Sequence, residues 1–179
     1  MRIILIKFLP IILYLSIANT VADEINDDID SKLLAGEWVV LTGTNEMDDV
    51  DYIGIGKASN NYVRNKKPAL LGLGCQDKKL AIFIDLMTYP DPELGKYNEY
   101  TVRIRIDGEK PKKKIWYQGT NPRIVASKKP KKLIKKMNNA NEMKFEFTEH
   151  VAGKKVLVFD LSGAGPFLKQ VADACNIKL

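Results

Sequence analysis

The chain is poor in the residue types that most often carry chemistry: among 179 residues there is one histidine, and there are two cysteines and two tryptophans. With a single histidine, any Ser-His-Asp arrangement must use His150. That residue lies in Thr148-Glu149-His150-Val151-Ala152-Gly153, which reads as a strand end entering a turn. Ser162, in Leu161-Ser162-Gly163, lacks the glycine two positions earlier that a nucleophile elbow requires. One histidine and two cysteines, the latter expected to be oxidised, argue against a zinc site. Arginine is also scarce, five against 23 lysines, whereas base readout in nucleic acid favours the bidentate arginine fork. The acidic groups Asp27-Asp28-Asp30 and Asp48-Asp49-Asp51 lack the alternating ligands, central glycine and distal glutamate of an ordered calcium loop, and read as solvated charge. No cofactor is implied.

Long apolar runs are absent after the first residues. Met1 to Ala22 has the parts of an export signal: Arg2 and Lys7 supply positive charge, Phe8 to Ala18 an apolar stretch, and Thr20-Val21-Ala22 small residues before Asp23. Cleavage after Ala22 is expected, with an uncleaved anchor as the competing reading. A spanning helix wants roughly 20 apolar residues, and Lys7, Pro10, Asn19 and Thr20 interrupt this one. With the signal removed, no transmembrane span is expected, and the mature chain is placed in the periplasm or outside the cell.

The 157 residues that follow suit one domain of ordinary size. Their charge is uneven. Asp23 to Asp51 holds ten acids and one base, Lys32, whereas from Tyr52 onward 25 bases face 12 acids. Residues 23–36 read as an acidic leader, with Glu24 to Ser31 a mobile segment or a short solvated helix, and residues 37–179 as a single β-rich domain.

Strand patterns fill that domain. Glu37 to Thr42, Tyr52 to Lys57 and Leu80 to Met87 are rich in β-branched and aromatic residues. Tyr100 to Asp107 alternates cleanly, with Tyr100, Val102, Ile104 and Ile106 on one side. Asp107-Gly108 then turns the chain into Lys112 to Gln118. Met143 to Thr148 and Lys155 to Leu161 form a second hairpin through Ala152-Gly153. Pro130 opens a helix with Leu133, Ile134 and Met137 on one face, and Pro166 opens a closing helix whose stripe includes Phe167, Leu168, Val171 and Cys175. These elements predict a mainly β fold, an antiparallel β-sandwich or half-barrel with a C-terminal helix packed on it.

In an oxidising compartment two cysteines pair and the bond persists, so Cys75 and Cys175 are expected to form a disulfide. The most conspicuous functional feature is Lys128-Lys129-Pro130-Lys131-Lys132-Leu133-Ile134-Lys135-Lys136, six lysines in nine residues. Behind an export signal it points to an anionic envelope component or an acidic envelope protein, and not to nucleic acid. The plainer reading is that these lysines only keep a helix face in solution. A second basic patch is expected if Arg103 and Arg105 lie across from Lys112, Lys114 and Trp116 of the returning strand.

Trp38 at the first strand, Leu71-Gly72-Leu73-Gly74-Cys75, the Ile115-Trp116 pair, Phe159-Asp160-Leu161-Ser162-Gly163 and the closing Cys175 together resemble the type VI secretion-associated accessory family called VasI or TagO. The most specific element is Phe-Asp-Leu-Ser-Gly followed by a cysteine twelve residues after Gly163. The resemblance implies an envelope protein without known catalysis, with Trp38, Phe159 and Leu161 in the core. The expected function is that of an exported, non-enzymatic binding protein of the bacterial envelope. Two alternatives stand beside it: a periplasmic inhibitor of a wall-degrading enzyme that uses the Tyr89 to Gly95 loop, and a hydrolase that uses His150.

Overall fold

Alternation of apolar and polar residues, broken by short turns, builds a single antiparallel sheet in the computed structural model. The structure describes residues 29–45, 47, 49–64, 67–92, 98–119 and 121–179. Met1 to Ala22, read from sequence as an export signal, residues 23–28 of the expected leader, Asp48 and the far end of the Tyr89 to Gly95 loop lie outside them. The strands are β1 (Val39–Asn45), β2 (Val50–Arg64), β3 (Lys67–Gln76), β4 (Lys79–Asp85), β5 (Glu99–Ile106), β6 (Lys112–Gln118), β7 (Ile124–Ser127), β8 (Glu142–Glu149) and β9 (Gly153–Asp160). Their order across the sheet is β1-β2-β3-β4-β7-β6-β5-β8-β9. The described residues also form three helices, α1 (29–34), α2 (Pro130–Met137) and α3 (Gly165–Ala174). None of them is long and apolar enough to cross a membrane.

One face of the sheet carries the core. Leu71, Leu73 and Cys75 of β3, Tyr100, Val102, Ile104 and Ile106 of β5, and Met143, Phe145 and Phe147 of β8 are buried at alternate positions. Leu133, Ile134 and Met137 of α2 join the same cluster, as do Leu168, Val171 and Ala172 of α3. Trp116 meets Phe145 edge-on with ring centroids 4.9 Å apart, an arrangement that suits the charge distribution of two aromatic rings. Phe159 and Leu161 are buried, and Trp38 is half-buried against Phe167 at 5.9 Å. On the other face the tip of the Phe83 ring reaches over Gly72, where an added Cβ would fall 2.3 Å from its Cζ.

The sheet curls until its last strand lies beside β2. Asn61 makes that junction: its amide Nδ2 donates to the Val156 carbonyl at 2.7 Å, and its Oδ1 accepts from the Val158 N–H at 3.0 Å. It can do so because β2 bulges. Ala58 pairs with Leu70 and Tyr62 with Pro68, so three residues of β2 stand opposite the single residue Ala69. Ser59 repairs the ladder there, accepting from the Ala69 N–H at 2.9 Å and donating to the Asn61 carbonyl at 2.6 Å. Of the two forms expected from sequence, the curled single sheet takes the half-barrel and not the two-sheet sandwich. The C-terminal helix packs on it as expected.

The end of the acidic leader is tied to this body. Leu33 of α1 is buried against Val39 and Ala58. Lys57, itself buried, donates to the Gly36 carbonyl and lies 5.7 Å from the centre of the Trp38 ring. Further along the same strand pair, Cys75 on β3 is bonded to Cys175, with Cα atoms 5.7 Å apart across a sequence separation of 100.

Two stability predictions follow from these closures. Reducing the disulfide is expected to destabilise the fold by at most about 4.7 kcal/mol, the loop-entropy value for a loop of this length. Urea unfolding with and without reductant measures it, and coincident curves would show that the bond does not constrain the unfolded chain. Asn61→Ala removes both bonds to β9, and a loss of about 1–3 kcal/mol is expected in the same assay; no change would mean that water satisfies the junction equally well.

Candidate functional site

The β5–β6 hairpin pairs Tyr100 with Trp116, Val102 with Lys114, Arg103 with Lys113 and Ile104 with Lys112. Directly opposed residues share a face of the sheet. Lys112 and Lys114 therefore stand on the core side, in phase with the buried Trp116, while Arg103 and Arg105 stand on the outer side with Lys113. The second basic patch expected from sequence is divided between the two faces, because the register is displaced by one residue from the one it assumed. On the outer face both arginines are matched by carboxylates. Arg103 Nη1 reaches both oxygens of Glu146, at 3.0 and 3.1 Å, and Arg105 Nη2 lies 3.9 Å from Glu142.

The core-side lysines meet the lysine-rich helix. Pro130 occupies the first turn of α2, where its missing N–H is no loss. Burial of Leu133, Ile134 and Met137 then fixes the helix orientation. Lys128, Lys129, Lys132 and Lys136 line, together with Lys112 and Lys114, a cavity of about 860 Å³. Its floor is Ile104, Ile106, Trp116 and Leu133, the end of the core where it opens to solvent. Two of the six lysines in the run, Lys131 and Lys135, do not line this mouth; both are exposed.

One carboxylate stands among these ammonium groups. Glu109, at the tip of the hairpin, accepts from Lys112 at 2.6 Å and from Lys136 at 3.2 Å, so it clasps β6 to α2. Lys128 lies 4.8 Å from the centre of the Tyr117 ring and 3.9 Å from Glu99. Its ammonium is held above the usual value, first by a hydrogen bond with Tyr117. Lys114, Lys129 and Lys132 have no carboxylate partner among the described residues. The start of α2 has neither an acidic residue in its first turn nor a side-chain cap, so lysines crowd the positive end of the helix dipole. Glu109 was not a sequence candidate; its place just past the Asp107-Gly108 turn, between two lysine-rich segments, was the available signal.

The other sequence candidates are held elsewhere. His150 Nδ1 lies 3.2 Å from Asp91 Oδ1 on an exposed turn. Ser162 sits in the turn after β9, its N–H donated to Asp160 Oδ1 at 2.9 Å, and that contact is the first cause that holds the Asp160 carboxyl below the usual range. His150 and Ser162 flank the two ends of β9, roughly 25 Å apart at the rise of an extended strand, so they do not meet. The described start of the Tyr89 to Gly95 loop is pinned to β8, with the His150 N–H on the Tyr89 carbonyl at 3.1 Å and the Asp91 N–H on the Thr148 carbonyl at 2.8 Å. Among the described residues no three His, Cys, Asp or Glu side chains stand close enough to hold a metal ion.

The clasp has a pH signature. The Glu109 carboxyl is held below its ordinary value of 4.5, chiefly by the hydrogen bond from Lys112 and then by that from Lys136. Because the folded value is the lower one, the clasp's contribution is complete above about pH 4.5 and is lost as pH falls through the folded value. Carboxyl titration by NMR is expected to find Glu109 below 4.5, and Lys112→Gln to bring it back up. An ordinary titration in the native chain would show that the clasp is open in solution.

No family model matches the chain, and no curated protein matches it. Among solved structures, it is similar to the crystal structure of invasion associated protein B from Bartonella henselae, with 14% identity and a TM-score of 0.48, over 77% of this chain and 93% of that one.

Proposed function

We propose that this chain is an exported, non-enzymatic accessory protein of the bacterial envelope, periplasmic or secreted, and that the lysine mouth between β6 and α2 is its binding site for an anionic envelope component or an acidic envelope protein. The observation that carries the reading is the concentration of six lysines around one cavity, with Glu109 the one carboxylate among its described lining residues and Glu99 reaching Lys128 from outside it. Like charges held this close repel one another, and an incoming anion relieves that repulsion. The Cys75–Cys175 bond is compatible with an oxidising compartment, and the signal-like Met1 to Ala22 gives a route to it. The VasI/TagO-like motifs supply the finer reading, service to a contractile secretion machine of the type VI class.

Nucleic acid is a poor match for the mouth. Its rim is lysine without arginine, and Trp116, the aromatic in its floor, is too deeply buried to stack on a base.

The test is envelope association of the exported protein. Replacing Lys128, Lys129, Lys131, Lys132, Lys135 and Lys136 by glutamine is expected to weaken co-sedimentation with the envelope fraction by roughly tenfold or more, since a lysine near an anionic surface contributes ~1 kcal/mol. Lys131→Gln with Lys135→Gln, which leaves the mouth intact, is expected to lose much less. Unaltered association in the six-lysine variant would overturn the reading.

A further inference from the structure

The mouth has two chemically different parts, and they are contiguous. Lys112 and Lys114 occupy positions whose phase along β6 is that of the buried Trp116, where the core-facing pattern otherwise calls for apolar side chains. They leave the end of the core open. Ile104, Ile106 and Leu133, each still 8% exposed, form the wall beneath them, with Trp116 behind it. A cavity of about 860 Å³ lies within the usual range for small-ligand sites, roughly 300–1,000 Å³. A purely solubilising lysine run needs no apolar floor, and a simple anion site needs no depth.

We infer that the mouth takes an anionic amphiphile: one phosphate or carboxylate headgroup seated among Lys114, Lys129 and Lys132, with a single alkyl chain laid on Ile104, Ile106 and Leu133. The inference rests on the anionic-partner reading of the same site and narrows it to single-chain anionic lipids. The three headgroup lysines are chosen because their ammonium groups lack a carboxylate partner, whereas Lys112 and Lys136 are engaged by Glu109 and Lys128 by Tyr117 and Glu99. Two of the three come from the start of α2, whose unopposed N-terminal end adds to the attraction for an anion. The alkyl chain removes from water the apolar surface that the lysines leave uncovered.

Isothermal titration of the intact, oxidised chain with alkyl phosphates, each below its micellar concentration, tests the assignment. From butyl to dodecyl phosphate the affinity is expected to rise by up to about fourfold per methylene, with one ligand per chain, and inorganic phosphate is expected to bind far more weakly than dodecyl phosphate. The variant with Lys114, Lys129 and Lys132 all changed to glutamine, exposed side chains whose loss leaves the core intact, should bind dodecyl phosphate at least tenfold more weakly. Equal affinity across chain lengths, equal affinity for neutral dodecyl maltoside, or wild-type binding by the triple variant would each overturn the inference. If alkyl phosphates fail to bind while the six-lysine variant still loses envelope association, the amphiphile is wrong and the anionic-partner reading stands. If chain-length-dependent binding is found while envelope association ignores the lysines, the ligand class is right and the envelope role is wrong.

Discussion

A curled sheet with one apolar face must have that face covered, and the remaining features of this molecule are consequences of how the covering is done. Nine strands present alternate side chains to one side, and the two helices that close over them come from short segments late in the chain. Neither α2, with eight residues, nor α3, with ten, is long enough to be stable alone in water. Each exists because its apolar stripe has the sheet to rest on. The Cys75–Cys175 bond fixes α3 at the C-terminal end of β3, and Asn61 holds the curl that gives both helices a concave surface. Leu168, Val171 and Ala172 of α3 are fully buried, whereas beside α2 Ile104, Ile106 and Leu133 each stay 8% exposed, and that end is the mouth.

That incompleteness follows from side-chain choice. Continuing the pattern of Trp116 along β6 would place apolar residues at 114 and 112 and seal the core. Lysines there keep their stems against apolar surface and carry their charge to the rim, so the cavity stays open without exposing a bare hydrophobic patch. Local sequence and global packing disagree at these two positions, and such disagreements in natural proteins concentrate at functional sites.

Much of the architecture was legible in the sequence. The alternation from Tyr100 to Asp107, the two hairpins and the proline-initiated helices have local causes, and each appears where those causes act. Two strands were not legible. In β3, glycines at 72 and 74 stand where polar residues would mark the outer face, because the Phe83 ring lies on Gly72, so the run has no period-two signature. The four residues of β7 are too few to show one. The sheet order also escapes local reading, since β7 is inserted between β4 and β6 by pairings that depend on the whole fold. At the site, composition alone identified the lysine run, whereas its meeting with β6 depended on a register that the hairpin turn sets one residue away from the one assumed. Parity within β6 was the better guide, because Lys112, Lys114 and Trp116 must share a face whatever strand they pair with.

The bond between Cys75 and Cys175 makes the chain topologically a ring with a tail. The ring runs from the end of β3 through β4, β5, β6, β7, α2, β8 and β9 to the close of α3; the tail before it carries α1, β1, β2 and most of β3. A protease that cuts one peptide bond inside the ring produces no separate fragment, because the two ends are still joined through sulfur, and the nicked product stays one molecule until a reductant arrives. A cut in the tail before Cys75 is different in kind, since what it frees is held only by hydrogen bonds and by packing such as that of Leu33 on Val39 and Ala58. Wherever proteases are common and thiol reductants scarce, this division protects the part of the molecule that holds the lysine mouth.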